Sequence, residues 1–174
     1  GLRGVGHGLL GAVVEVPGSG GVVVSGRLSV REQGWLGEHR VQGRVVVPGT
    51  ALVEMAICAG DQVDCPVLDE LVTQVPLILT ETGVSFVRIV VGEAESGGRR
   101  SVAVYARPAQ SDDEWVCHAT GVLTPEGPVG VVGLGVWPPV GAEVVSVGGV
   151  YEDLVGRGLE YGPVFRGVEG VWRR

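Results

Sequence analysis

The sequence predicts an α+β fold in which an antiparallel sheet wraps around one buried helix. Three observations carry this. Val is the commonest residue, ahead even of the 31 Gly, and no Lys is present, so β-branched strand formers dominate. One stretch, Thr50 to Ala59, has the pattern of a helix, and Glu54 is its only charge. Four strand-length runs follow it, with turn-like clusters between several of them.

Taken in order, the chain opens with a hairpin. Gly11 to Val16 and Gly21 to Leu28 are β-rich runs joined by the breaker cluster Pro17-Gly-Ser-Gly-Gly21. Val45-Val-Val47 is a further apolar run that ends at Pro48-Gly49. The helix comes next: Thr50 can cap it, Gly60 can stop it, and a single charge implies burial nearly all round. Strands are expected over Val67 to Val75, Ser85 to Gly92, Arg100 to Arg107 and Glu114 to Leu123, arranged as a meander. Gly127 to Gly149, with Pro128, Pro138, Pro139 and almost no charge, has the composition of a linker. Beyond it, Val150 to Val155 predicts a short helix, and Phe165 to Trp172 the start of a new strand.

Composition narrows the function classes. The chain has 174 residues, enough for one domain or one domain plus part of another. Of its residues 45% are hydrophobic and 19% charged, which argues for a packed core and against disorder. Thirteen basic residues, all Arg, against 20 acidic ones give a net charge of −7 and no basic face with which to grip nucleic acid. Cys58, Cys65 and Cys117 are odd in number and form no CxxC pair, so they suggest buried small hydrophobes rather than disulfides or a zinc site. No secretory signal and no apolar run of about 20 residues is visible, so a cytoplasmic protein is expected.

Two motifs compete for attention. Gly6-His-Gly-Leu-Leu-Gly11 is formally GxGxxG, but a dinucleotide fingerprint needs a strand before it and a helix after it, and a Val-rich strand follows here. The richer stretch is Trp35-Leu-Gly-Glu-His-Arg-Val-Gln-Gly-Arg-Val-Val-Val-Pro-Gly-Thr50. It places His39 in a loop, Gly43 four residues on, and Pro48-Gly49 directly before the buried helix. A helix N-terminus offers unpaired N–H groups that stabilise a carbonyl oxygen gaining negative charge. A nearby histidine, with an unperturbed pKa of about 6.5, suits removal of a proton next to that carbonyl. On spacing alone, an ordinary loop histidine stays open as the other reading.

Leu36-Gly-Glu-His39-Arg-Val-Gln-Gly43-Arg-Val-Val-Val-Pro48-Gly49 resembles the HxxxGxxxxP motif of dehydratase domains in modular type I polyketide synthases. Gly158-Leu-Glu-Tyr161-Gly162-Pro163-Val-Phe165 is similar to that family's YGPxF motif. Trp137-Pro-Pro139 resembles the joint between the two halves of such domains, and His7-Gly-Leu-Leu-Gly11 its entry motif, with Gly8 in place of the usual proline. The resemblance runs from about residue 7 to the end of the sequence. It implies a double hot-dog fold, each half a sheet around a central helix. Residues 1–124 would be the N-terminal hot-dog, 125–149 the linker and 150–174 the start of the second hot-dog.

The implied reaction is loss of water from a β-hydroxyacyl thioester carried on the phosphopantetheine of an acyl carrier protein. No metal and no cofactor of the domain's own takes part. His39 matches the family's base, the backbone at Gly49 would hold the thioester carbonyl, and Tyr161 would orient the acid or the leaving hydroxyl. Gly43, Pro48, Gly162, Pro163 and Phe165 complete the motifs. The family's acid is an aspartate on the second hot-dog's helix, expected beyond Arg174, so the chain alone is expected not to dehydrate. Expected partners are the carrier protein, neighbouring synthase domains and a second copy of the domain.

The rival readings are a non-catalytic remnant kept as a structural or docking element, and a single-hot-dog thioesterase or hydratase. Asp61, Asp64, Asp69, Asp153 and Glu160 are expected as solvated carboxylates, and Arg99, Arg100, Arg173 and Arg174 as solvated charge, although these arginines could also meet an acidic carrier protein. His118 is expected to be structural, and His7 to line the domain entrance without an evident partner.

Overall fold

The structure is a computed structural model that describes residues 1–127 and 135–174. Of the expected linker, residues 128–134, Pro128 among them, lie outside the described residues. The strands are β1 (Arg3–Gly4), β2 (Leu10–Glu15), β3 (Val22–Leu28), β4 (His39–Val41), β5 (Arg44–Val46), β6 (Val67–Thr73) and β7 (Ile78–Leu79). They continue with β8 (Ser85–Val91), β9 (Arg100–Pro108), β10 (Val116–Thr124), β11 (Glu143–Val145), β12 (Leu159–Tyr161) and β13 (Val171–Arg173). The helices are α1 (Gly49–Asp61) and α2 (Val150–Gly156).

Seven strands form one antiparallel sheet in the order β1-β2-β3-β8-β9-β10-β6, with α1 packed on its inner face. The core is the product of two periodicities. Alternate strand residues point inward, as with Val22, Val24 and Leu28 on β3 and Val87, Ile89 and Val91 on β8. From the helix, Leu52, Met55, Ala56 and Ala59 meet them, with Met55, Ala56 and Ala59 fully enclosed. An antiparallel sheet wrapped around one central helix is the hot-dog fold. No helix among the described residues is long and apolar enough to cross a membrane.

Several local expectations are corrected. The sheet is not a simple meander: β8, β9 and β10 follow one another, but β6 lies outside them at the far edge, paired with β10. The helix carries the chain across the sheet before β6 forms, and strand periodicity does not encode such a crossing. Pro48, not Thr50, is the N-cap, and its carbonyl accepts from the Ala51 and Leu52 N–H groups. Gly60 lies inside α1 rather than ending it. The turn after the helix is closed by Val63 and Cys65 N–H groups on the Gly60 carbonyl, with Asp64 taking a left-handed φ of 54°.

The C-terminal stretch also differs in detail. Within the expected linker, Glu143–Val145 is a strand, paired with Val171–Arg173. Phe165 ends a 3-10 turn, Pro163–Phe165, instead of opening a strand. Pairing of β12 with β4 places the YGPxF residues beside His39, and joins β12 to the small sheet β12-β4-β5-β7. The helix Val150–Gly156 forms where it was expected.

Candidate active site

His39 is held by a hairpin, not a loop. Gln42 and Gly43 have φ values of 50° and 76°, the two left-handed residues of a type I′ turn. Such a turn sets the register Val41↔Arg44 and Arg40↔Val45, and one step further brings His39 beside Val46. This explains the spacing of the motif: His39 and Gly43 are separated by one arm of a hairpin, and Pro48 ends the other arm. Pro48 has no N–H to continue the ladder, and its extended ψ of 143° turns the chain into α1. Left-handed geometry at a non-glycine such as Gln42 costs on the order of 1–3 kcal/mol. Two contacts offset it: Gln42 N–H donates to the Gly158 carbonyl at 2.7 Å, and Gly43 N–H to Glu160 Oε1 at 3.0 Å.

The hairpin also decides the tautomer of His39. Its Nδ1 lies 2.7 Å from the Val46 carbonyl oxygen. A carbonyl only accepts, so Nδ1 carries the hydrogen and, in the neutral ring, Nε2 keeps its lone pair.

The segment Gly158 to Phe165 closes on this histidine. In the β12–β4 pairing Tyr161 is the partner of His39, and their rings stack with centroids 5.1 Å apart at 17°. Gly162 N–H donates to the Glu38 carbonyl at 2.8 Å. A Cβ at Gly162 would lie 2.7 Å from Glu38 side-chain atoms, so only glycine allows this approach. Pro163 starts the 3-10 turn with its pre-set φ, and the turn delivers Phe165 to 5.1 Å from His39 and 6.2 Å from Trp35.

His39 and Gly49 share a cavity of about 390 Å³, lined also by Val46, Val47, Leu52 and residues 73–77. Gly49 is the first residue of α1, so its N–H is one that the helix leaves unpaired. Tyr161 touches the His39 ring but lines a separate groove with Glu38, Arg40 and Gly162. No carboxylate lines the His39 cavity among the described residues. A larger hollow of about 580 Å³ at the other end of α1 is lined by no histidine or cysteine among the described residues. There Arg100 donates to the Gly20 and Gly92 carbonyls.

The wall at residues 73–77 was not foreseen from sequence. Buried His118 fixes it: Nδ1 lies 2.9 Å from the Val75 carbonyl, and the His118 carbonyl accepts from Gln74 N–H at 2.8 Å. His118 is thus structural, as expected. Its strand position suggested burial, but nothing in its surroundings in sequence pointed to residue 75.

Other expectations shift. Glu160 is not simply solvated, since it caps the His39 hairpin, while Asp69 stays exposed as expected, in a surface pair with Arg99 at 2.7 Å. Asp61, at the end of α1, is exposed as expected, and so is Arg173, which reaches the equally exposed Glu143 at 3.6 Å. His7 has a partner after all, Glu54 at 3.6 Å. Cys58 and Cys65 are buried thiols. Burial pushes Cys58 above the ordinary value, with Asp61 and Glu54 adding to the shift. Burial also raises Cys65, against the opposing charge of Arg100.

Comparison with known proteins identifies the family. Residues 7–107 match the family described as "Polyketide synthase dehydratase domain". Over 174 residues the chain is 48% identical to the phenolphthiocerol synthesis polyketide synthase type I Pks15/1 of Mycobacterium marinum. It is 46% identical over 178 residues to the pikromycin polyketide synthase component PikAII of Streptomyces venezuelae. Both matches cover 100% of the chain, which spans 8% and 5% of those proteins. Among solved structures, the dehydratase domain from the terminal module of the rifamycin polyketide synthase superposes with a TM-score of 0.94 at 46% identity. That match covers 100% of this chain and 64% of that one. The erythromycin dehydratase gives 0.92 at 43% identity, covering 100% and 65%. The chain belongs to the polyketide synthase dehydratase domain family.

Proposed function

We propose that this chain supplies the base and the carbonyl-binding backbone of a dehydratase acting on β-hydroxyacyl thioesters. The observation that carries the reading is the Nδ1 contact of His39 to Val46, which leaves Nε2 of the neutral ring free to accept a proton, on a histidine that lines the same cavity as Gly49. In this reaction Nε2 takes the α-proton, and the electron pair of that C–H bond forms the double bond. The β-carbon–oxygen bond breaks, and the hydroxyl leaves as water after receiving a proton from an acid. Negative charge gathering on the thioester oxygen is met by the Gly49 N–H and the positive end of α1. Tyr161 orients the acid or the leaving hydroxyl.

Hydroxide leaves poorly, so a proton donor is needed opposite His39. No carboxylate lines the cavity among the described residues, and following the family resemblance we assign the donor to an aspartate on the helix of a second hot-dog, outside residues 1–174. The domain division follows: residues 1–124 as the first hot-dog, 125–149 as the joint and 150–174 as the opening of the second. The substrate arrives on the phosphopantetheine of an acyl carrier protein, the domain brings no cofactor of its own, and the domain pairs with a second copy. The family match and the extent of the relatives beyond this chain support that reading.

The test is an α-deuterated β-hydroxyacyl thioester given to the longest natural polypeptide containing this chain. The reading expects loss of the α-deuterium together with water and formation of an α,β-unsaturated thioester. Product in which the β-carbon–oxygen bond is intact and only the thioester is cleaved would point to a thioesterase and refute it.

A further inference from the structure

We propose that Glu38 is a positioning residue for the His39 site, a proposal that rests on the role given to His39 above. Glu38 directly precedes His39 and is bonded by the YGPxF segment at both ends. Its carbonyl accepts from Gly162 N–H at 2.8 Å, and its carboxylate Oε2 accepts from Val164 N–H at 2.8 Å. The Gly162 backbone lies against the Glu38 side chain, close enough that a Cβ there would meet Glu38 Cβ, Cγ and Oε2 at 2.7 Å.

These contacts bracket the residues that matter. Tyr161 and Phe165, the two rings beside His39, lie on either side of the Gly162–Val164 stretch that Glu38 holds. Within the turn Pro163–Phe165, Pro163 has no N–H and Phe165 N–H donates to the Gly162 carbonyl. Val164 N–H is the donor left over, and the Glu38 carboxylate takes it in a charge-assisted bond. Neighbouring cations are engaged elsewhere. Arg40 donates to the Gly37 carbonyl at 3.1 Å and pairs with Glu81 at 2.7 Å, while Arg166 Nε donates to the Tyr161 carbonyl at 2.7 Å. Glu38 therefore fixes where the two rings meet the imidazole and does not itself touch the cavity that His39 and Gly49 line.

The experiment uses the longest natural polypeptide containing this chain, with Glu38→Ala, Glu38→Gln and His39→Ala variants. Dehydration of a carrier-bound β-hydroxyacyl substrate gives kcat and KM, and hydrogen exchange reports the Val164 amide. Glu38→Ala is expected to lower kcat about tenfold with KM within about twofold, as for a small misplacement of a catalytic group. It should also speed Val164 exchange about tenfold, since one lost bond to a charged group is worth that factor or more. Glu38→Gln keeps an acceptor oxygen and should restore most of both. Wild-type kcat and Val164 exchange in Glu38→Ala, with His39→Ala inactive, would overturn the proposal alone. So would equal impairment of the Ala and Gln variants, or faster exchange spread evenly over the core amides. A His39→Ala variant that dehydrates at the wild-type rate would instead overturn the role of His39, on which that of Glu38 depends.

Discussion

Tyr161 stands directly opposite His39 in the β12–β4 pairing, and its ring stacks on the imidazole at 5.1 Å and 17°. The two residues are 122 positions apart (161 − 39), and a three-residue strand pairing unites the two halves of the site. Removing the hydroxyl and removing the ring should therefore have different effects. Tyr161→Phe keeps the stack and, on the orienting role proposed for the hydroxyl, should lower kcat by about tenfold, the worth of about one hydrogen bond, with an unchanged melting temperature. Tyr161→Ala should also loosen His39, with a loss of about 0.5–1.5 kcal/mol in stability from the lost ring contact. Thermal melts beside dehydration assays distinguish the two, and equal effects of both variants on stability would contradict the stack.

The type I′ turn makes a prediction with opposite signs at neighbouring positions. Gly43→Ala places a side chain at φ 76° and should cost about 1–2 kcal/mol. Gln42→Gly relieves the same strain at φ 50° and should be neutral or mildly stabilising in denaturant titrations. Two equal losses would mean that the turn is not of this type.

How much of this was legible in the sequence divides along physical lines. The β2–β3 hairpin, the buried helix and the strands over residues 67–124 follow from periodicity and turn residues, because those patterns are local, whereas the hairpin that carries His39 reads from sequence as a loop. The place of β6 at the far sheet edge, the β12–β4 pairing and the wall at residues 73–77 are long-range and leave no local trace. Thr50 and Gly60 do not bound the helix, for a related reason. Pro48 ends β5 and caps α1 at once, and the turn at residues 62–65 extends the helix past a glycine that would otherwise stop it. Glu160 read as a surface carboxylate because the amide it accepts from, at Gly43, lies on another element.

The core can be tested apart from the site. Met55 is fully enclosed between α1 and the sheet, so Met55→Ala should cost about 2–5 kcal/mol through lost burial and the cavity left behind. Chemical denaturation measures it. A loss below about 1 kcal/mol would mean that α1 is not packed as described.

Cys58 offers a pH-dependent readout. Its thiol is held above the ordinary value by burial first and by Asp61 and Glu54 second. The unfolded chain therefore releases this proton at lower pH than the folded one. The stability from Cys58 is intact below the ordinary thiol range and falls as pH rises through it toward the raised folded value. Thiol-reactive dyes should label Cys58 slowly in the native protein at pH 8 and rapidly once it is unfolded. Rapid native labelling would contradict its burial.

The most direct measurement is the dehydration rate of a carrier-bound β-hydroxyacyl substrate by the longest natural polypeptide containing this chain, beside its His39→Ala variant. If His39 is the base, the variant loses about 10²–10⁴-fold in kcat while its fold is retained. Equal rates in the two proteins would show that the α-proton leaves by another route.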